Sequence, residues 1–335
     1  MRVLITGGAG HVGRAMTRRL VDKGWDVHVI GLDKEAHLPG ATYAYCDIMH
    51  YDSLREQMRG CEAVIHLAAF ASPNITSGSP TFAVNVSGTF NVFEAADAEG
   101  IKRVVQASSI NAFGCFWGTV DIAPRYLPID EAHPTYTTDP YSYSKELVEN
   151  IGDYYWRRSG ISSVALRFPY VYPGADLHSE KFLKERQQTV ANIEALAQLP
   201  EAERTARIDA MNAKIMKFRS ERWMETRMRP ADFPPEYPYN DWLWEVCLSD
   251  RFVFWAYVDD RDTAQAAEKG ITAKFEGSHA LFINAENNSL NTDSQTLIRL
   301  FYPNLAAQPL TGAQSLVSIE KARTLIGYEP EYSVY

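Results

Sequence analysis

The sequence of 335 residues predicts an α/β protein built on a doubly wound parallel sheet. Three observations carry this expectation. Short β-rich runs alternate with helical patterns through the first half, which is the signature of βαβ units. A glycine-rich turn joins the first of those runs to the first helix. The composition, 46% hydrophobic and 22% charged, supports a large core without disulfide or metal staples.

The same arithmetic excludes several function classes. At about 150 residues per domain, the length gives roughly two units. Acidic residues outnumber basic ones, 42 to 33, for a net charge of −9, which argues against a nucleic-acid partner. No apolar run reaches the ~18 residues of a membrane span. The four cysteines, Cys46, Cys61, Cys115 and Cys247, form no CxxC pair, so neither a metal site nor a disulfide framework is expected. A reducing cytoplasm is the expected compartment, and the start MRVLITGGAG reads as a strand rather than a signal peptide.

Arg2 to Thr6 is a short apolar strand, and a helix follows from about Val12 to Lys23. Further strands are expected at Trp25 to Leu32, Ala63 to Leu67 and Val104 to Ala107, with helices at about Asp52–Met58 and Thr81–Glu99. Right-handed crossovers then leave a doubly wound sheet.

The turn Gly7-Gly8-Ala9-Gly10-His11-Val12-Gly13 carries the first chemistry. Its glycines let the backbone turn tightly and approach a pyrophosphate, which the free N–H groups and dipole of a helix N-terminus favour. Asp33 follows the second strand about 20 residues after Gly13, where a carboxylate accepts both adenosine ribose hydroxyls and repels a 2′-phosphate. NAD is therefore expected over NADP, although Lys34 beside Asp33 softens the preference.

Tyr141-Ser142-Tyr143-Ser144-Lys145 is the second constellation. Asp139-Pro140 before it makes a helix start, with Asp as the cap and Pro in the first turn. Tyr141 and Lys145 are then i and i+4 on one face. An adjacent ammonium favours a phenolate; bringing a phenol from ~10 towards 7 takes roughly 4 kcal/mol. The product is a general base for an alcohol proton.

Together these motifs resemble the extended short-chain dehydrogenase/reductases, the NAD-dependent epimerase/dehydratase family. The matching stretches are Thr6 to Gly13, Cys46-Asp47-Ile48, His66-Leu67-Ala68-Ala69 and Asn85-Val86-Ser87-Gly88-Thr89. Ala107-Ser108-Ser109 with Phe113-Gly114, Tyr141 to Lys145, Leu166-Arg167-Phe168-Pro169, Tyr257-Val258-Asp259-Asp260 and the tail from Ser318 to Pro330 complete the set. The resemblance implies a Rossmann-type sheet and a redox mechanism in which Ser109 bonds the reacting oxygen, Tyr141 is the acid/base and Lys145 holds the nicotinamide ribose. Ser108 is the alternative to Ser109. It also implies cofactor contacts from Gly7, Gly10, His11, Val12, Gly13, Asp33, Asp47, Ile48, Leu67, Ala68, Ala69, Asn85, Pro169 and Val171. A homodimer through helices 81–99 and 140–158 is a further implication; simple packing within the chain is the other use of those helices.

Departures from the family's patterns narrow the reaction. Ile110 and Asn111 follow Ser109 where the dehydratases carry acids, so dehydration is not expected. Tyr170 stands where sugar-nucleotide epimerases place an Asn, and no glycine-containing strand precedes Tyr257. The stretch from Arg125 to Pro134 resembles bacterial sugar and sugar-acid dehydrogenases of this family. Asn111 and Tyr170 are the candidate substrate contacts beside Ser109, with a backbone-bonded turn as the other reading of Asn111.

Two charged helices, Glu180–Leu199 and Glu201–Arg229, form a helical insertion over 178–230. Ile208, Met211, Ile215 and Phe218 make an apolar stripe that reads as a packing seam. Pro230, Pro234, Pro235 and Pro238 separate the second helix from the aromatics Phe233, Tyr237, Tyr239, Trp242, Trp244, Phe252, Phe254 and Trp255. These rings suit either a core or a wall for a sugar's C–H face. Arg186 and Arg251 are candidates to pair with a substrate carboxylate.

The expected organisation is an NAD-binding unit over 1–165, which strands near 251–260 and 278–285 could join, and a smaller substrate lobe over 166–335. The leading activity is an NAD-dependent dehydrogenase for a secondary alcohol of a sugar or sugar acid. An epimerase with retained cofactor and a non-catalytic NAD(P)-sensing regulator are the alternatives; the Ser109, Tyr141 and Lys145 set counts against the regulator.

Overall fold

The computed structural model describes residues 1–120, 122–225 and 233–334. Its centre is a seven-stranded parallel sheet of β1 (Arg2–Thr6), β2 (Asp26–Gly31), β3 (Thr42–Tyr45), β4 (Ala63–His66), β5 (Arg103–Ser109), β7 (Ser162–Phe168) and β10 (Ser278–Phe282), ordered β10-β7-β5-β4-β1-β2-β3. Two small parallel pairs lie outside it: β6 (Tyr126–Leu127) with β11 (Ala306–Ala307), and β8 (Tyr170–Tyr172) with β9 (Tyr257–Asp259).

Strand alternation fixes how the sheet is covered. In β1, Val3 and Ile5 join one apolar core while Leu4 joins the other, so both faces are buried. Helices α1 (His11–Asp22) and α10 (Asp260–Thr272) pack together on one side, and α2 (Tyr51–Met58), α4 (Gly88–Ala98) and α5 (Pro140–Ser159) cover the other. The strand order reverses between β1 and β4, the place where an open α/β sheet opens a crevice at its strand ends.

The structure corrects several sequence expectations. The 81–99 helix begins earlier, as α3 (Gly78–Phe82), and reaches α4 through a π-turn at Ala83–Ser87. Strand β7 crosses the expected boundary at 165; β10 joins the sheet as expected for 278–285, whereas β9 near 251–260 pairs with β8 outside it. The second insertion helix stops as α8 (Glu201–Ser220), and Arg222 adopts φ 63 just beyond it; residues 226–229 and Pro230 lie outside the described residues.

The insertion's apolar stripe is a seam. Ile208, Met211, Ile215 and Phe218 of α8, with Ile193 and Leu196 of α7 (Glu180–Ala197), pack into a separate core with Phe113, Phe116, Trp244, Phe252, Phe254 and Trp255. Most of the aromatic run is therefore core: Tyr237, Trp244, Phe252, Phe254 and Trp255 are all buried. Phe218 meets Phe233, Tyr237 and Trp244 edge-on, the arrangement aromatic quadrupoles favour. All four cysteines are free and buried. Among the described residues, no helix is long and apolar enough to cross a membrane.

Candidate active site

A cleft of about 610 Å³ opens where the strand order reverses. One end is the glycine turn. Gly10 starts α1 with no side-chain cap and no acidic residue in the first turn, which leaves first-turn N–H groups for an anion. A Cβ on Gly13 would lie 2.5 Å from Gly8 Cα and 2.7 Å from the Gly7 carbonyl oxygen, so only glycine lets the turn fold this tightly. Gly7 has φ 70, and a Cβ there would lie 2.8 Å from Ala68 N. Asp33 is exposed just after β2, and its carbonyl accepts the Tyr43 hydroxyl at 2.9 Å.

The floor is held by a neutral histidine. His66 Nδ1 and the Thr6 hydroxyl are 2.7 Å apart, and His66 Nε2 is 2.9 Å from Thr89 Oγ1. The Thr89 hydroxyl donates to the Asn85 carbonyl, so Nε2 carries the proton and Nδ1 accepts. Burial pushes His66 down to about 3, so it stays uncharged. Thr6 Oγ1 in turn accepts Leu67 N and Ala68 N, each at 3.2 Å, which fixes the Leu67-Ala68-Ala69 wall.

The other end gathers the reactive groups. Asp139 caps α5 by accepting Ser142 N at 2.8 Å, with Pro140 in the first turn, so Tyr141 and Lys145 point to one side. They are 5% and 4% exposed, and Lys145 Nζ donates to the Ala107 carbonyl at 2.9 Å. Ser109 and Tyr141 line the cleft together, and the Ser109 hydroxyl accepts both Asn111 N and Asn111 Nδ2 at 3.1 Å. Burial dominates here: it pushes Tyr141 up to about 12, the Ser109 hydroxyl only partly opposing it, and Lys145 down to about 8. The lowering expected from the sequence takes Lys145 together with an oxidised nicotinamide, and burial of the phenol acts against both.

A family model described as "NAD dependent epimerase/dehydratase family" matches residues 3–203. The chain belongs to that family. A UDP-glucose 4-epimerase of Streptomyces lividans is 32% identical over 159 residues, 45% of this chain and 46% of that protein. The chain thus matches about half the length of that relative. An L-arabinose 1-dehydrogenase (NAD(P)(+)) of Haloferax volcanii is 32% identical over 190 residues, 55% of this chain and 72% of that protein. A short-chain dehydrogenase/reductase superfamily protein of Agrobacterium tumefaciens, solved with bound NAD, superposes with a TM-score of 0.64 at 22% identity, covering 100% of this chain and 94% of that one, a likeness of fold.

Within this epimerase/dehydratase fold the cleft brings together Gly7, Gly10, His11, Val12, Gly13, Asp33, Leu67, Ala68, Ala69, Ser109, Asn111, Tyr141, Lys145, Pro169, Tyr170 and Val171. Asp47, Ile48 and Asn85 are not among its lining residues. Asp47 accepts Met49 N at 2.9 Å, and Ile48 is buried under Gly88. Asn85 lies one layer back, joining Phe70 to Ser144, whose hydroxyl donates to the Tyr141 carbonyl. Ser108, the alternative, also lines the cleft, and its hydroxyl donates to Glu149 at 2.6 Å. Arg186 is paired with Asp250, and Arg251 donates to Asn212, so neither lines the cleft.

Sequence reasoning missed Phe116 and Trp117, which form the cleft's aromatic wall with Tyr170. Phe116 meets Trp117 at 4.6 Å and Tyr170 at 5.9 Å, both edge-on. The available signal was two adjacent aromatics between Ser109 and Tyr141 in the chain.

Proposed function

We propose that the protein is an NAD-dependent oxidoreductase acting on a secondary hydroxyl, or the corresponding ketone, of a sugar or sugar-acid-like substrate. The observation that carries this is the convergence of Ser109, Tyr141 and buried Lys145 on one cleft with the Phe116–Trp117–Tyr170 wall. The residues present fit the cofactor: the uncapped turn at Gly10 suits a pyrophosphate, Asp33 suits the adenosine ribose, and Lys145 suits the second ribose. When bound, NAD supplies the hydride acceptor.

The chain's own residues manage the proton and the fit. The Ser109 hydroxyl, held by Asn111, donates towards the oxygen that reacts. As a phenol, Tyr141 gives its proton to a ketone; as a phenolate favoured by Lys145, it removes one from an alcohol. Asn111 Oδ1 is buried without a hydrogen-bond partner beside this pair, an acceptor suited to a second substrate hydroxyl. The rings opposite suit the C–H face of a sugar.

The test is a screen of sugars and sugar acids with purified protein and added NAD. Substrate-dependent accumulation of NADH supports the dehydrogenase. A sugar that changes configuration while a retained cofactor never accumulates in reduced form establishes the epimerase, a reading favoured by the Streptomyces relative's name. For the cofactor, Asp33→Ala is expected to weaken NAD roughly 10–100-fold relative to NADP, as loss of a charged hydrogen bond does. An unchanged NAD/NADP affinity ratio in titration calorimetry would remove the ribose contact.

The assembly proposed is a homodimer. Phe82 and Phe90 on α3 and α4, and Tyr143 and Tyr154 on α5, are 38%, 39%, 46% and 39% exposed. They pair as Phe82–Tyr143 at 6.1 Å and Phe90–Tyr154 at 6.2 Å, two exposed aromatic pairs that join α3 and α4 to α5. A second copy of the same helices covers them isologously. Light scattering should give a dimer for the wild type and a monomer for Phe90→Glu; a monomeric wild type at micromolar concentration rejects the dimer.

A further inference from the structure

Behind the catalytic pair lies a buried charge cluster that the proton transfer does not use. Glu149 follows Tyr141 and Lys145 on α5 at i+8 and i+4, so the three share one helical face. Its carboxylate accepts the Ser108 hydroxyl at 2.6 Å and two guanidinium nitrogens of Arg167, Nε at 2.9 Å and NH2 at 2.8 Å. Ser108 and Arg167 are register partners between β5 and β7, so both strands hold the carboxylate at the same level. Lys145 meanwhile donates to Ala107, the residue before Ser108.

We propose that Glu149 is the positioning residue that keeps Lys145 charged in its buried seat, with Arg167 and Ser108 fixing the carboxylate in place. The proposal rests on Lys145 belonging to the active site as described above. Burial alone drives a lysine towards its neutral form, and a carboxylate on the same face opposes that. The groups facing Lys145 are few. Glu149 and Tyr141 share its helix, and the neutral His66 approaches from β4. Around Glu149 stand Arg167 from β7, Glu146 on α5, Glu131 after β6, and Lys321 on α12 (Glu320–Ile326). The Glu149 carboxylate makes a bidentate pair with Arg167, and Glu131 is a second acidic neighbour of that guanidinium. A lysine that loses its proton gives up both its hold on a ribose hydroxyl and its support for a phenolate.

The experiment follows Lys145 itself. Full-length protein carrying 13Cε-labelled lysine is titrated by NMR, with the Lys145 signal assigned by its loss in Lys145→Arg. The midpoint in Glu149→Gln is expected to fall by about one pH unit or more, the usual effect of removing a close opposite charge, and Glu149→Asp should restore most of the loss. Glu149→Gln leaves Arg167 buried without its carboxylate, so the double variant Glu149→Gln/Arg167→Gln is measured beside it. A fall in the same direction is expected there, smaller because the positive charge of Arg167 leaves with the carboxylate, since Glu149 is the charge that acts most on Lys145. A Lys145 midpoint unmoved in either folded variant overturns the proposal. The titration needs no turnover, so a wild type that oxidises no sugar would reject the proposed activity and leave this result standing by itself.

Discussion

Tyr141→Phe is expected to lower turnover by about 10³-fold or more, the scale of a lost general acid/base, while NAD binding changes little. The phenol is 5% exposed, lines the cleft with Ser109 and sits on a helix face fixed by the Asp139 cap. Phenylalanine fills the same volume, so the cleft keeps its shape and loses only the proton carrier. Steady-state rates alongside calorimetric NAD titration separate the two effects; wild-type-like turnover would remove Tyr141 from the chemistry. Because burial raises Tyr141 to about 12, the phenol form prevails near neutrality and suits ketone reduction. Oxidation needs the phenolate, so its rate should climb with pH until Lys145 begins to lose its charge near 8. A flat oxidation profile between pH 6 and 8 contradicts this assignment.

Much of this cleft was legible in the sequence because its parts are local patterns. A glycine turn between a strand and a helix, a carboxylate after the next strand, and Tyr and Lys one turn apart each declare their geometry over a few residues. What was not legible depended on distant packing. Asp47, Ile48 and Asn85 matched family motifs, yet Asn85 bonds Phe70 and Ser144 and supports the wall from behind. The edge strand β3 is four residues long with a mixed burial pattern, too short for alternation to show. Arg186 looked like a free cation in the sequence; only the fold brings Asp250 against it. Phe116 and Trp117 sit on an irregular loop with no periodicity, and their direction depends on what holds that loop.

Arg219 holds it, and Arg219→Met is expected to damage both stability and substrate affinity. The side chain is 1% exposed at the end of α8 and reaches across to the loop, donating to the Gly118 carbonyl at 2.7 Å and also to that of Cys115. Its guanidinium lies 3.8 Å over the Phe252 ring, a cation–π contact inside the second core. These two carbonyls bracket Phe116 and Trp117, so the insertion helix sets the wall of the cleft from outside it. Methionine conserves much of the volume but removes both hydrogen bonds donated by the charged guanidinium, at about 1.5–3 kcal/mol each. The midpoint of thermal unfolding should therefore fall by several degrees. A looser wall should also raise KM for the sugar several-fold while the NAD dissociation constant holds, since the glycine turn and Asp33 are borne by β1, α1 and β2 rather than by the insertion. If NAD affinity falls instead and KM does not, the insertion serves the cofactor half. The combined outcome, lower stability with a KM effect confined to the sugar, assigns the insertion helices to the substrate wall through this one guanidinium.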